Sequence, residues 1–143
     1  MLYRIVAVGR MKNAALRAVC DEYLDRLRHY KKVEEHEVKD ETRVLGRQAV
    51  PEGARLVALT RRGDEWSSVQ LAEWTERWDM EARDVVFAIG GADTLPDEVL
   101  RKAERLWSLS QLTLPHEVAR VVLYEQLYRA HTIRRGEPYH RGP

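Results

Sequence analysis

The chain has 143 residues, 33% of them charged and 44% hydrophobic, and a net charge of +1 at pH 7. That length suits one domain with a core of its own, and a lone cysteine, Cys20, excludes an internal disulfide and a cysteine-rich structural zinc site. The near-neutral balance argues against a nucleic-acid enzyme, which usually carries an excess of Lys and Arg to neutralise phosphates.

The opening MLYRIVAVGRMK has an apolar run too short to span a membrane and no secretory cleavage pattern, so a cytoplasmic protein is expected. Leu2 to Val8 reads as a buried strand ended by Gly9. Leu16, Val19, Cys20, Tyr23, Leu24 and Leu27 recur at helical spacing, predicting an amphipathic helix to about Tyr30 with Cys20 as a packed thiol. Val33 to Val38 is a second strand, polar enough for a sheet edge. From Asp40 to Gly53 the pattern is broken by Gly46, Pro51 and Gly53, consistent with a short helix or turn.

Arg55 to Thr60 is a third strand. Ser67 with Gln70 three residues on makes a capping box for a helix carrying Leu71, Trp74, Thr75 and Trp78. Asp84 to Ile89, the most apolar strand, should be central. Pro96 opens a helix predicted to turn Val99, Ala103, Leu106 and Trp107 inward, and Pro115 opens the last helix, to about Arg134. Strands alternating with helices imply a single α/β domain over residues 1–143, with a mostly parallel sheet and helices on both faces.

In such sheets ligands bind beyond the carboxyl ends of the strands. Three segments meet that description: Leu59-Thr60, Gly90-Gly91, and the loop Ser108 to Leu114. Glycines let a backbone approach a ligand closely, and a loop alternating Leu with small polar residues can surround a base while offering it amides. Neither GxGxxG nor GxxxxGK[ST] is present, which disfavours a phosphate-bearing cofactor. His29, His36 and His131 lack metal-ligand spacing and read as surface residues, and no metal is expected. On the last helix Val118, Val121, Val122, Leu123, Tyr124, Leu127, Tyr128 and Ile133 occupy more than one face, which predicts burial on two sides and a homodimer. Glu125 and Arg129, four apart, can pair. The end of the chain gathers four arginines against one acid between Arg129 and Pro143.

The ordered set IGG at 89–91, SLSQLTLPH at 108–116, LYRA at 127–130 and PYHR at 138–141 resembles the SPOUT methyltransferases over nearly the whole chain. Within them it resembles the type that methylates N3 of a pseudouridine in 23S ribosomal RNA. The resemblance implies an α/β-knot fold with a C-terminal trefoil knot, a homodimer, S-adenosylmethionine as methyl donor, a short functional tail at 136–143, and a preassembled ribosome as substrate. Donor contacts then fall to Leu59, Thr60, Gly90, Gly91, Leu109, Ser110, Gln111, Leu112, Thr113 and Leu114. Acceptor and catalytic roles fall to His116, Arg129, Tyr139 and His140, with His140 the better candidate base because imidazole titrates near neutrality and is flanked by a stacking ring and a phosphate ligand. A family member acting on transfer RNA and a non-catalytic ribosome-binding factor are the alternatives. Two departures from the family pattern are Ala92-Asp93-Thr94, where relatives commonly have Pro-Glu-Gly, and Thr60-Arg61-Arg62, where an acidic residue is common.

Overall fold

A computed structural model describes residues 1–46 and 48–143. Five strands, β1 (Tyr3–Val8), β2 (Val33–Val38), β3 (Arg55–Glu65), β4 (Val85–Ile89) and β5 (Arg105–Ser108), form one sheet in the order β2-β1-β4-β3-β5, with every pairing parallel. Four helices join them: α1 (Ala14–Leu27), α2 (Ser68–Glu81), α3 (Asp97–Lys102) and α4 (His116–Arg134). As expected, β4 is central and β2 lies at an edge.

Strand alternation divides the core in two. Tyr3, Ile5, Val57, Val85 and Phe87 face α1, α2 and α4, while Val6, Leu56, Ala58, Val86 and Ala88 face α3 and the segment containing Val44 and Ala49. Helices therefore cover both faces, unevenly. The Ser67 capping box forms as read, and residues Glu41–Arg43 make a single 3₁₀ turn. Cys20 is buried, and loss of solvent pushes its thiol up to about 11, which fits packing and not reactivity.

Two expectations need correction. Ala103, Leu106 and Trp107 do not extend the helix from Pro96: α3 ends at Lys102, and Arg105–Ser108 is the edge strand β5. The burial signal at Val99, Leu106 and Trp107 was real, but it belongs to two elements on a turn, and a six-residue helix leaves too few periods to tell them apart. His131 is 4% exposed and not a surface residue; its Nε2 meets the Tyr3 hydroxyl at 2.9 Å, and burial lowers its pKa to about 4.

An ionic cluster fixes α4 to the sheet. Arg120, 2% exposed, pairs with Glu35 and Glu37 of β2 at 2.8 Å each, and Arg17 of α1 reaches Glu35 at 3.0 Å. The Tyr124 hydroxyl donates to Glu35 as well. Burial opposes the charge on both sides, and the hydrogen bonds and opposite charges more than offset it: Glu35 is held below the usual carboxylate range and Arg120 stays charged. Replacing Arg120 with Met leaves two carboxylates facing one remaining cation. A loss of about 3–5 kcal/mol is expected, read as a lower urea midpoint at unchanged slope; a midpoint within error of wild type would mean that the cluster does not hold the helix.

Candidate active site

Three segments converge beyond the carboxyl ends of β3 and β4. The turn after β4, the continuation of β3, and the loop between β5 and α4 enclose a cleft of about 430 Å³. Its walls include every residue expected to contact a donor except Gln111, namely Leu59, Thr60, Gly90, Gly91, Leu109, Ser110, Leu112, Thr113 and Leu114. Gln111 is exposed on the loop and lines none of it. Ile89, Leu95 and Ala119 add apolar surface, and His116 closes the side formed by the first turn of α4. The loop is braced by short bonds within itself: the Ser108 hydroxyl donates to the Ser110 carbonyl, and the Ser110 hydroxyl accepts from the Leu112 amide at 3.0 Å. Its root is held by Trp107, which is buried and stacked on Trp66 at 5.1 Å between centroids.

The β3 wall is the feature that the sequence hid. Instead of ending at Thr60, the strand runs on to Glu65, and its pairing with β5 jumps from Leu59↔Trp107 to Asp64↔Trp107. Residues 60–63 are thus inserted into the register, with Thr60, Arg61 and Arg62 at the cleft and Gly63 against β5, and the strand resumes beyond them. Gly63 makes this possible, because a Cβ there would lie 2.5 Å from the Leu106 carbonyl carbon. Gly91 has a related role: a Cβ would come 2.9 Å from the Val8 carbonyl oxygen, so this glycine first serves the approach of its own turn to β1. The inserted residues bring Arg61 and Arg62 to the cleft, and Arg61 donates to the Thr113 hydroxyl at 2.8 Å.

The remaining expected residues gather elsewhere. Arg129 chelates Glu125, with its Nη2 at 2.8 Å, and its Nη1 meets Nδ1 of His140 at 3.1 Å. The Tyr139 hydroxyl donates to the same Glu125 carboxylate at 2.9 Å, its ring lies under the Arg129 guanidinium, and its edge meets Tyr128. Burial, together with the Tyr23 and Glu125 partners, pushes the Tyr139 phenol up. Farther along, Tyr30 donates to Glu137 at 2.6 Å. The tail is therefore folded back on α4 and docked against α1, with Glu125 as the hub; the sequence showed Glu125 only as a partner for Arg129. His116 and Arg129 are thirteen positions apart on α4, about 20 Å along the axis at the usual rise. Of the four residues expected to act on the acceptor, one stands at the cleft and three stand at the far end of the helix.

The chain matches the model of the family described as "Predicted SPOUT methyltransferase" over residues 1–140. It belongs to the SPOUT methyltransferase family. A relative from Anaeromyxobacter sp. (strain Fw109-5), named ribosomal RNA large subunit methyltransferase H, is 45% identical, with 99% of this chain and 100% of the relative aligned. One of the same name from Burkholderia lata is 42% identical across 96% of this chain and 97% of its own length. A solved structure of a probable methylase family protein from Haemophilus influenzae Rd KW20 superposes with a TM-score of 0.64, covering 98% of this chain and 70% of that one; at 10% identity this likeness is one of fold.

Within this SPOUT architecture the inserted 60–63 segment is the part most sensitive to a single methyl group. Gly63→Ala forces backbone against backbone where β3 and β5 meet. A destabilisation of about 1–3 kcal/mol is expected, together with weaker ligand binding in the cleft, measured by urea denaturation and calorimetry. Wild-type values in both would show that the close approach at Leu106 is not needed.

Proposed function

We propose that the chain is an S-adenosylmethionine-dependent methyltransferase acting on N3 of a pseudouridine in 23S ribosomal RNA. It works in the cytoplasm, on the assembled ribosome, as a homodimer of one domain, 1–143, with a C-terminal trefoil knot and a functional tail at 136–143. The observation that carries this reading is the convergence of the expected donor residues, all but Gln111, on one cleft. The lining suits the donor: Leu59, Ile89, Leu109 and Leu114 offer apolar walls to adenine, and the glycine turn and the loop bring main-chain polar groups to the same space. The donor, when bound, supplies a methyl group on a positively charged sulfur.

What the protein must contribute is position, exclusion of water, and stabilisation of the negative charge that the uracil ring gains when N3 loses its proton. Arg129 suits the last task as a permanent cation. His140 suits it as well. With Arg129 donating into Nδ1, the proton of a neutral imidazole lies on Nε2, which meets the Pro143 carbonyl oxygen at 3.2 Å. In that tautomer the acceptor nitrogen is already filled, so His140, once its Nε2–H exchanges the Pro143 carbonyl for the acceptor, fits a donor to a ring oxygen better than the base expected from sequence. Exposed Arg135 and Arg141 stand ready for phosphates.

Support for the homodimer comes from the separation of the two groups along α4, since a straight helix cannot bend Arg129 and His140 to the cleft of its own chain. A two-fold pairing that runs two copies of α4 past each other brings the tail of one copy to the cleft of the other. Val118, Val121 and Val122 are only half-buried on α4, and Leu112 at the cleft rim is 71% exposed, which leaves apolar surface for such a pairing.

The test is transfer of tritium from labelled donor to ribosomes, with the modified base mapped. Label is expected at a pseudouridine of 23S RNA. Deleting residues 138–143 should keep donor binding and lower the single-turnover rate by at least roughly 100-fold. Label confined to isolated transfer RNA, or a truncated protein with the normal rate, would contradict the proposal.

A further inference from the structure

The cleft contains charges that its aliphatic lining does not explain. Arg61 and Arg62 stand on the β3 side and Asp93 on the β4 side. Among the described residues neither Arg61 nor Asp93 takes part in an ion pair, although most arginines of this protein do. Both arginines are exposed, as is Asp93, but the two arginines are held differently. Arg62 is 71% exposed and loosely paired with Asp97 at 3.6 Å, which makes it a rim group. Arg61 is tied by Nη1 to Thr113 of the loop that walls the cleft, and four of its five N–H donors have no partner among the described residues.

Resting on the donor reading above, we propose that Arg61 determines the specificity of the cleft by binding the α-carboxylate of the donor's amino-acid tail, with Asp93 taking its ammonium. A ligand that carries both an anion and a cation matches a cleft lined by an unpaired cation on the β3 side and an unpaired anion on the β4 side. An RNA phosphate would use Arg61 but would be repelled by Asp93, so the zwitterion is the better match. A guanidinium also offers a carboxylate two parallel N–H bonds. Because Thr113 already orients the Arg61 fork, less freedom is lost when the tail binds. Arg61 is a positioning group: by fixing the tail it fixes where the transferable methyl stands relative to the far wall.

Calorimetry with two ligands separates the possibilities. The first is S-adenosylhomocysteine; the second is the same molecule without its carboxylate, keeping adenosine, sulfur and ammonium. Wild type should prefer the first, and Arg61→Met should weaken the first by roughly tenfold, the worth of one charged hydrogen-bonded contact, while leaving the second unchanged. Asp93→Asn should weaken both, since both keep the ammonium. Equal weakening of both ligands by Arg61→Met, or no weakening of either, overturns the proposal. So does a variant with intact donor affinity but a shallower salt dependence of ribosome binding, which would make Arg61 a phosphate contact. Wild-type protein that binds neither ligand overturns the donor reading itself, and this inference with it.

Discussion

Everything at the candidate site depends on where α4 lies, and a buried guanidinium decides that. Arg120 gives up nearly all its water to sit between Glu35 and Glu37, and such burial is tolerable only when the partners are well aimed. Those partners belong to the edge strand, so the helix is locked to β2, and through Arg17 to α1, before any ligand is considered. A hydrophobic stripe alone would allow α4 to slide or rotate against its neighbours, because apolar contact has no direction. The ionic cluster sets its register. Arg120 is one turn from His116, and fixing that turn fixes the wall of the cleft.

The same helix separates what it positions. Its first turn borders the cleft, and its C-terminal half carries Glu125, Arg129 and the docked tail, with Arg129 about 20 Å from His116. Within one copy the two groups cannot meet around a small base. The proposed pairing turns this into a design: two rigid helices, each carrying half a site at either end, assemble two complete sites when they run in opposite senses. Glu125 then has a task beyond neutralising Arg129, since it holds Tyr139 and Arg129 in one arrangement and so keeps a short tail from spending its entropy when the acceptor arrives.

Much of this was legible because the residues concerned obey local rules. Alternating apolar strands, the Ser67–Gln70 capping box and the strand-end glycines mark elements whose geometry follows from a few neighbours. The cleft was legible for the same reason: Leu59, Gly90 and the 108–114 loop are strand ends, and parallel sheets gather strand ends at one edge. What was hidden depends on long-range pairing. Arg120 on a helix reads as solvated until a carboxylate from another strand meets it, and His131 reads as exposed until Tyr3 covers it. The insertion of residues 60–63 needs β5 as a partner, and a four-residue edge strand directly after a short helix leaves no periodic signal of its own. Gly63, set among charged residues, is the one local signal that could have pointed to two backbones passing closely there.

The central claim, that a complete site is shared between two copies, can be tested by complementation. One variant lacks residues 138–143 and keeps its cleft; the other carries Leu114→Arg, which puts bulk and charge into the cleft and keeps its tail. Each alone should be inactive on ribosomes. After equal mixing and exchange, half the dimers are mixed and each mixed dimer has one complete site, so about a quarter of wild-type activity should return. Recovery near that level supports a site built from both copies; dimers that exchange fully and remain inactive would contradict it.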